Sequence, residues 1–241
     1  MEAGTKLKIV GLIPARGGSK RIPGKNIKLC AGKPLVLYAC EAALESRYLN
    51  RIIVSTDDFE IKKLAQSAGV EVPFLRPESI SRDDTPMIDV VRHAYKWLSS
   101  EDSAMEAVVL LQPTSPLREK SHIDGAIEIF QSHDVDSVVS VVRIPHIFHP
   151  NKVFISENGI LKSYLPTPLK FENEVAGPVY ARNGPAVLVL HPRVLSSNSL
   201  YGTTSAGYEM SQENSIDIDT PVDFAIAERL LLMRTAQRLM S

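Results

Sequence analysis

Residues 13–26 read IPARGGSKRIPGKN, which places three glycines, two prolines and four cations directly after the apolar run 9–13. Between Ala3 and Cys40 the chain carries eight lysines and arginines and no carboxylate. An apolar strand that ends in a glycine-rich turn is how parallel α/β sheets present a ligand site. Glycines let backbone amides approach phosphate oxygens, and Lys or Arg offsets the phosphate charge. Neither G-x-G-x-x-G nor G-x-x-x-x-G-K-[ST] is present, and Pro23 prevents a helix from starting directly after the glycines. The loop is therefore read as one that wraps a polyphosphate instead of handing it to a helix N-terminus. A charge run alone more often marks a solvated surface; the preceding strand, Gly17-Gly18 and the lack of nearby acids favour phosphate.

The basic loop is a local device, because the whole chain has a formal charge of −1 and 44% hydrophobic residues over 241. That balance excludes a generally basic nucleic-acid binder and a disordered acidic tail. Cys30 and Cys40 show no metal-type spacing and are expected to be reduced thiols. No signal-peptide pattern is seen, and no apolar run approaches the ~20 residues of a membrane span. The expectation is a cytoplasmic protein with neither a nucleic-acid nor a membrane partner.

Outward from the loop, short apolar β-rich runs alternate with longer amphipathic ones. Strands are predicted over 7–13, 51–55, 107–111 and 137–142, and helices over 34–46, 59–68, 87–98 and 121–132. Strands that are apolar throughout and alternate with helices predict an α/β protein whose parallel sheet is covered on both faces. Over 145–184 the pattern turns proline-rich and strand-like (HPNKVFI, YLPTPLKF), predicting a small β-rich inserted lobe. Strands are predicted again over 186–190 and 216–218, then a helix over 221–240 with proline at its start. No internal repeat is seen, so 1–241 reads as one domain with an insertion.

In SIDIDTP, Asp217 and Asp219 stand two apart. On a strand they would point to one side and could share a hard cation, with Ile218 turned into the core. The same residues also suit a strand end at which Asp219 or Thr220 caps the helix starting at Pro221. Asp223, in the first turn, reads as a helix-dipole partner. Gln112 follows a buried strand, at the end where parallel sheets bind ligands. His146 and His149 are three apart, but Pro145 and Pro150 argue against a helix there and no carboxylate is local, so they read as loop histidines. Trp97 has core spacing with Val90, Val91 and Ala94. Ser55 and Ser115 have no visible His–Asp partnership, which argues against a serine hydrolase.

Five segments then stand in one order: PARGGSKRIPGKN, STDD at 55–58, RPESISRDDTP at 76–86, LLQPTSPLR at 110–118 and SIDIDTPVDFAIAE at 215–228. Together they span nearly the whole chain and resemble the acylneuraminate cytidylyltransferase family, which makes CMP-activated sialic acids and their bacterial relatives. The resemblance implies a Rossmann-like nucleotidyltransferase fold with a mostly parallel sheet and a dimerisation lobe. It implies transfer of CMP from CTP to the anomeric hydroxyl of an acidic nonulose, with release of pyrophosphate. It also implies magnesium (Mg2+) as the ion, and a homodimer in which each lobe reaches the partner's active site. By the same resemblance Arg16, Lys25, Asp217 and Asp219 form the catalytic set, and the two aspartates are the metal ligands. Arg16, Lys20 and Lys25 would neutralise phosphates, with Ala15, Gly17 and Ser19 on the same nucleotide loop. Asn26 would contact the base, and Arg76 and the turn through Thr85 would close over it. Gln112, Lys152, Arg182 and Asn183 would contact the sugar.

The chain departs from the family pattern in three places. Relatives often carry Arg-Gln shortly before the RNG element at 182–184, where this chain has PLKFENEVAGPVYARNGP. Lys170 would then replace the arginine with a point charge that cannot grip a carboxylate bidentately. Pro185 stands where the family usually has Ala, and Arg21 where many sialic acid enzymes have Gly. Two alternatives are opposed by the residues. Asn26 and RNG argue against an eight-carbon ulosonate enzyme, whose branch tends to have Pro at the Asn26 position. Intact Arg16, Lys25, Gln112, Asp217 and Asp219 argue against a catalytically silent nucleotide binder.

Overall fold

The computed structural model describes residues 8–101, 105–165 and 178–240. Its strands are β1 (Ile9–Pro14), β2 (Leu29–Cys30), β3 (Lys33–Pro34), β4 (Arg51–Ser55), β5 (Ala107–Leu110), β6 (Ser137–Arg143), β7 (Phe154–Glu157), β8 (Ile160–Ser163), β9 (Tyr180–Arg182), β10 (Leu188–Leu190) and β11 (Ser205–Met210). The helices are α1 (Leu35–Leu44), α2 (Phe59–Ser67), α3 (Met87–Glu101), α4 (Lys120–Ser132) and α5 (Pro221–Met240). The main sheet runs β11-β6-β10-β5-β1-β4, with β9 added beside β6. β1 pairs in parallel with β4 and β5, and β11 in parallel with β6; β9 and β10 run the other way. Five of the seven strands thus share one direction, the mostly parallel α/β architecture expected.

Alternation along β1 splits the interior into two layers. Ile9 and Ile13 pack with residues of α1, α2 and α4, while Val10 and Leu12 pack with Val91, Ala94 and Leu98 of α3. Every residue of β1 is buried, as a strand covered on both faces requires. A third cluster joins Ile22 of the basic loop to Ile218 and to Phe224, Ala227 and Leu231 of α5. Burying an isoleucine fully stabilises by roughly 1.5–3 kcal/mol. Ile22 and Ile218 therefore fasten the loop onto the segment that carries Asp217 and Asp219.

Two sequence expectations change. Residues 216–218 form no strand; they are extended chain after the 3-10 turn Glu213–Ser215, with one backbone–backbone bond, from Ile218 N to Thr114 O (2.8 Å). The sheet edge is instead β11, whose alternate residues are buried too little to give an apolar signal. The strand expected over 186–190 begins at Leu188 and is antiparallel. Both β9 and β10 pair with β6, at 141–143 and 137–139, so they are one strand interrupted at 183–187. Over 145–165 the chain makes two 3-10 turns and the hairpin β7–β8, then β9 returns to the sheet. Lys170 lies outside the described residues. Among those described, no helix is long and apolar enough to cross a membrane.

Candidate active site

The basic loop leaves the sheet between β1 and β4, where Ala15 N donates to Ser55 O (3.0 Å). Gly17 N then donates to Asp57 Oδ1 (3.0 Å). A Cβ on Gly17 would lie 2.5 Å from an Asp58 carboxylate oxygen, so this close approach requires glycine. Asp58 cannot yield freely, because it caps α2 through Glu60 N and Ile61 N. At the far end Asn26 is buried and donates its side-chain amide to Arg16 O (2.8 Å), while Val36 N donates to Asn26 O (2.9 Å). The residue expected to contact the base thus also ties the loop's two ends together. Arg76, expected over the base, is buried below: Arg76 N donates to Thr56 O (2.7 Å), and its guanidinium lies 3.7 Å from Asp57. Thr85 closes a turn with Arg82 by bonds of 3.3 and 3.1 Å. Between this turn and Ser19 opens a groove of ≈ 620 Å³.

The loop's four cations divide between two aspartates. Arg16 pairs with one oxygen of Asp83 and Lys20 with the other (2.9 Å). Arg21 lies 3.4 Å from one oxygen of Asp219 and Lys25 4.0 Å from the other. Lys25 also donates to Ile218 O (2.7 Å), which ties the loop directly to the acidic segment. Burial pulls the Lys25 ammonium below its ordinary value, against the charges of Asp219 and Asp217.

The segment around Ile218 belongs to no sheet and its side chains differ in exposure: Asp217 is half-buried, Ile218 buried and Asp219 exposed. The helix cap is Thr220, which exchanges bonds with Asp223 (2.7 Å from Thr220 N, 3.3 Å to Thr220 Oγ1). Asp223 also accepts from Asp219 N (3.2 Å), so it orients that backbone in addition to meeting the helix dipole. The Asp219 carboxylate is thereby left for cations. Asp217 Oδ1 is buried with no hydrogen-bond partner. Burial pushes the Asp217 carboxyl up, the nearby Thr114 hydroxyl, itself short of a well-formed bond, pulls against this, and the neighbouring Asp219 charge adds to the rise.

These two carboxylates fit magnesium. An unpartnered buried oxygen is what a cation would satisfy, and Mg2+ typically takes one or two carboxylates together with substrate phosphates and water. Among the described residues no group of three or more His, Cys, Asp or Glu is placed to hold a metal ion, so a cage made wholly of protein ligands is not what this site offers.

On the opposite wall, Gln112 Nε2 donates to Gly184 O (3.3 Å). Gly184 has φ +119°, and a Cβ there would stand 3.3 Å from both Asp217 Cγ and Ser115 Oγ. The turn thus lies directly on the acidic segment. Behind it, buried Arg118 donates from Nη1 to Gln112 O and Ala186 O, both at 2.9 Å. Burial without a carboxylate partner pulls its guanidinium down to about 10.

Asn183 does not offer its side chain to a sugar here. It is buried, accepts from Ser140 Oγ (2.7 Å) and donates to Ser215 Oγ (3.0 Å), so it shapes the turn from inside. Arg182 lies over the Tyr201 ring at 4.7 Å, and Lys152 sits in the lobe beside the His146 ring. The structure therefore gathers Arg16, Lys20, Lys25, Gln112, Gly184, Asp217 and Asp219, while Asn183 is turned inward. Sequence reasoning gave no role to Asp57, Asp58 or Arg118. Asp58 had a readable signal as an Asp just before a helix; Arg118 had none, because burial of an arginine is not visible locally.

The cytidylyltransferase family model matches residues 10–238. The chain is 37% identical over 229 residues to CMP-N,N'-diacetyllegionaminic acid synthase of Legionella pneumophila, covering 93% of this chain and 97% of that one. It is 34% identical over 221 residues to N-acylneuraminate cytidylyltransferase of Streptococcus agalactiae, covering 90% of this chain and spanning about half (52%) of that relative. Its fold resembles that of CMP:2-keto-3-deoxy-manno-octonic acid synthetase complexed with CTP (TM-score 0.69, 17% identity, 94% of this chain and 99% of that one). With a basic loop fastened to an acidic segment on an α/β sheet, and a family match over nearly its whole length, this chain belongs to the cytidylyltransferase family.

Proposed function

We propose that the protein transfers the CMP group of CTP to the anomeric hydroxyl of an acidic nonulose, a sialic acid-like sugar, and releases pyrophosphate. The observation that carries this reading is the convergence of Lys25 on Ile218 and Asp219, with the Gln112–Gly184 wall alongside. In this reading Arg16, Lys20 and Lys25 hold the triphosphate and offset the charge that builds on pyrophosphate as its bond to the α-phosphorus breaks. Gln112 orients the sugar so that its hydroxyl oxygen meets the α-phosphorus. Asp217 and Asp219 would hold magnesium, which when bound supplies charge to the phosphate oxygens and acidifies the attacking hydroxyl.

We further propose a cytoplasmic homodimer. Its support is the hairpin β7–β8, which exposes Phe154 and Leu161 on one face and Ile155 and Ile160 on the other, apolar side chains of the kind that an interface covers. Lys152 in the same lobe would then act across that interface. Light scattering at micromolar concentration should give about twice the chain mass of 26.6 kDa; a monomer mass would remove the dimer.

The reaction is tested by pyrophosphate release from CTP and magnesium with N-acetylneuraminate, legionaminate, pseudaminate and the eight-carbon ulosonate. Fast release with one nonulose is expected. Release with only the eight-carbon sugar would overturn the nonulose assignment.

A further inference from the structure

We infer that Asp83 is a positioning residue that stands in for a phosphate group between Arg16 and Lys20 in the nucleotide-free protein, and so sets how readily the loop takes up and releases polyphosphate. The inference rests on the reading of the loop as a triphosphate site. Asp83 meets the loop as a phosphate would, with one oxygen on Arg16 and the other on Lys20. Both cations lie on the loop placed to bind anions, and the groove between the loop and the 82–85 turn opens beside the pair. The carboxylate and a phosphate therefore compete for the same two cations.

The turn that carries Asp83 is built to move aside. Arg82, Asp83 and Asp84 are exposed, and the preceding 3-10 turn Glu78–Ile80 has no buried residue. The flanks are fixed on one side by buried Arg76 and on the other by Ile88 in α3. Between those anchors, among the described residues, the turn meets the loop through the two ion pairs of Asp83. Ion pairs between exposed groups are weak and screened by water, so an incoming polyphosphate, with several charges, displaces a single carboxylate. Once displaced, Asp83 faces a like charge and the turn is pushed away from the loop. When pyrophosphate forms, the same carboxylate competes for Arg16 and Lys20 and favours release. Asp219 holds the other two cations but is also a metal ligand in this account, which leaves Asp83 as the carboxylate whose contacts serve the loop alone.

A latch that simply braces the turn over the nucleotide makes the opposite prediction. If Asp83 is a stand-in, removing its charge tightens anion binding; if it is a brace, removing it loosens binding. The experiment is calorimetric titration of the full chain with inorganic pyrophosphate, and with CTP, both without magnesium, for wild type, Asp83→Asn and Asp83→Ala. The stand-in predicts that both variants bind pyrophosphate more tightly, by roughly fivefold for the loss of one exposed like charge. It also predicts stronger product inhibition by pyrophosphate, and a smaller gain when Asp83→Asn is made in an Arg16→Ala background, where only Lys20 is left to be freed. Both pairs are open to water, with the Asp83 side chain 32% exposed, so the melting temperatures of the single variants should stay close to wild type. Unchanged or weaker pyrophosphate binding in both folded variants, with wild type binding CTP normally, would overturn this inference and leave the proposed function standing. Failure of wild type to bind either anion would overturn both.

Discussion

Asp217 shows how one side chain can be placed against its own stability. Its carboxyl is raised by burial, so the folded state binds its proton more tightly than the unfolded chain does. The linkage then has a definite sign. As pH rises from the ordinary carboxylate range, near 4, through the raised value, ionisation of Asp217 progressively destabilises the fold, and above that value the penalty is complete. Asp217→Asn should therefore melt at or above wild type at pH 7, lose that advantage below about pH 4, and show no turnover at any pH. Thermal melts and turnover across pH 4–8 check this; a variant that melts well below wild type at pH 7 would make Asp217 structural. In sequence, two aspartates two apart suggested a shared cation. The burial of Asp217 was not legible there, because it comes from the turn at Gly184, which is 33 residues away in the chain.

At the scale of elements, the interruption between β9 and β10 does the positioning. Ser140 of β6 donates its backbone N–H to Val187 O and accepts from Val187 N at its side-chain Oγ, both at 2.9 Å, so the strand resumes only after the turn has swung out. Asn183 pins that turn from below and Arg118 from behind, by way of Ala186 O. Gly184→Ala would put a side chain at φ +119° and 3.3 Å from Asp217. We expect a stability loss of about 1–3 kcal/mol and a rise in KM for the sugar that exceeds the rise for CTP. Equal effects on both substrates would mean that the turn does not shape the sugar side.

The same scale shows where pattern reading works and where it fails. β1, β4 and β5 are apolar throughout and were readable as buried strands. β11 is half-exposed, so the pattern is silent there. IDID at 216–219 imitates strand alternation, but outside its one backbone–backbone bond to Thr114 no neighbour supplies a ladder. Asn183 lies in a motif of recognisable type, yet its inward orientation depends on Ser140 and Ser215, whose proximity only the fold creates.

Across the whole molecule, distant segments are joined by buried or well-bonded polar groups as well as by the core. Asp136, just before β6, accepts from Thr203 N (2.7 Å), Thr203 Oγ1 (2.8 Å), Thr204 N (3.1 Å) and Arg193 Nε (2.6 Å). The Thr203 amide first, then the other donors, hold its carboxyl well below the ordinary range. A depressed acid stabilises the fold above its unfolded value, near 4, and that contribution is lost as pH falls through the folded value. Asp136→Asn should thus lower the melting temperature at pH 7, with the gap to wild type narrowing in acid. A gap that does not change with pH would assign the effect to packing.

Fold class and the course of the basic loop were legible because both are written in local pattern. The grouping of Asp57, Asp83 and Asp219 around that loop was not, because it depends on three returns of the chain to one sheet end.

The central claim is that the basic loop and the acidic segment together carry CMP transfer to a nonulose. Its most direct test is ³¹P NMR of CTP, magnesium and the accepted nonulose with purified enzyme. The account predicts that the three CTP resonances give way to one phosphodiester resonance of a CMP-sugar and to free pyrophosphate, and that both require the sugar. Appearance of CMP and pyrophosphate without a sugar adduct, or CTP that binds and persists with every nonulose, would contradict it.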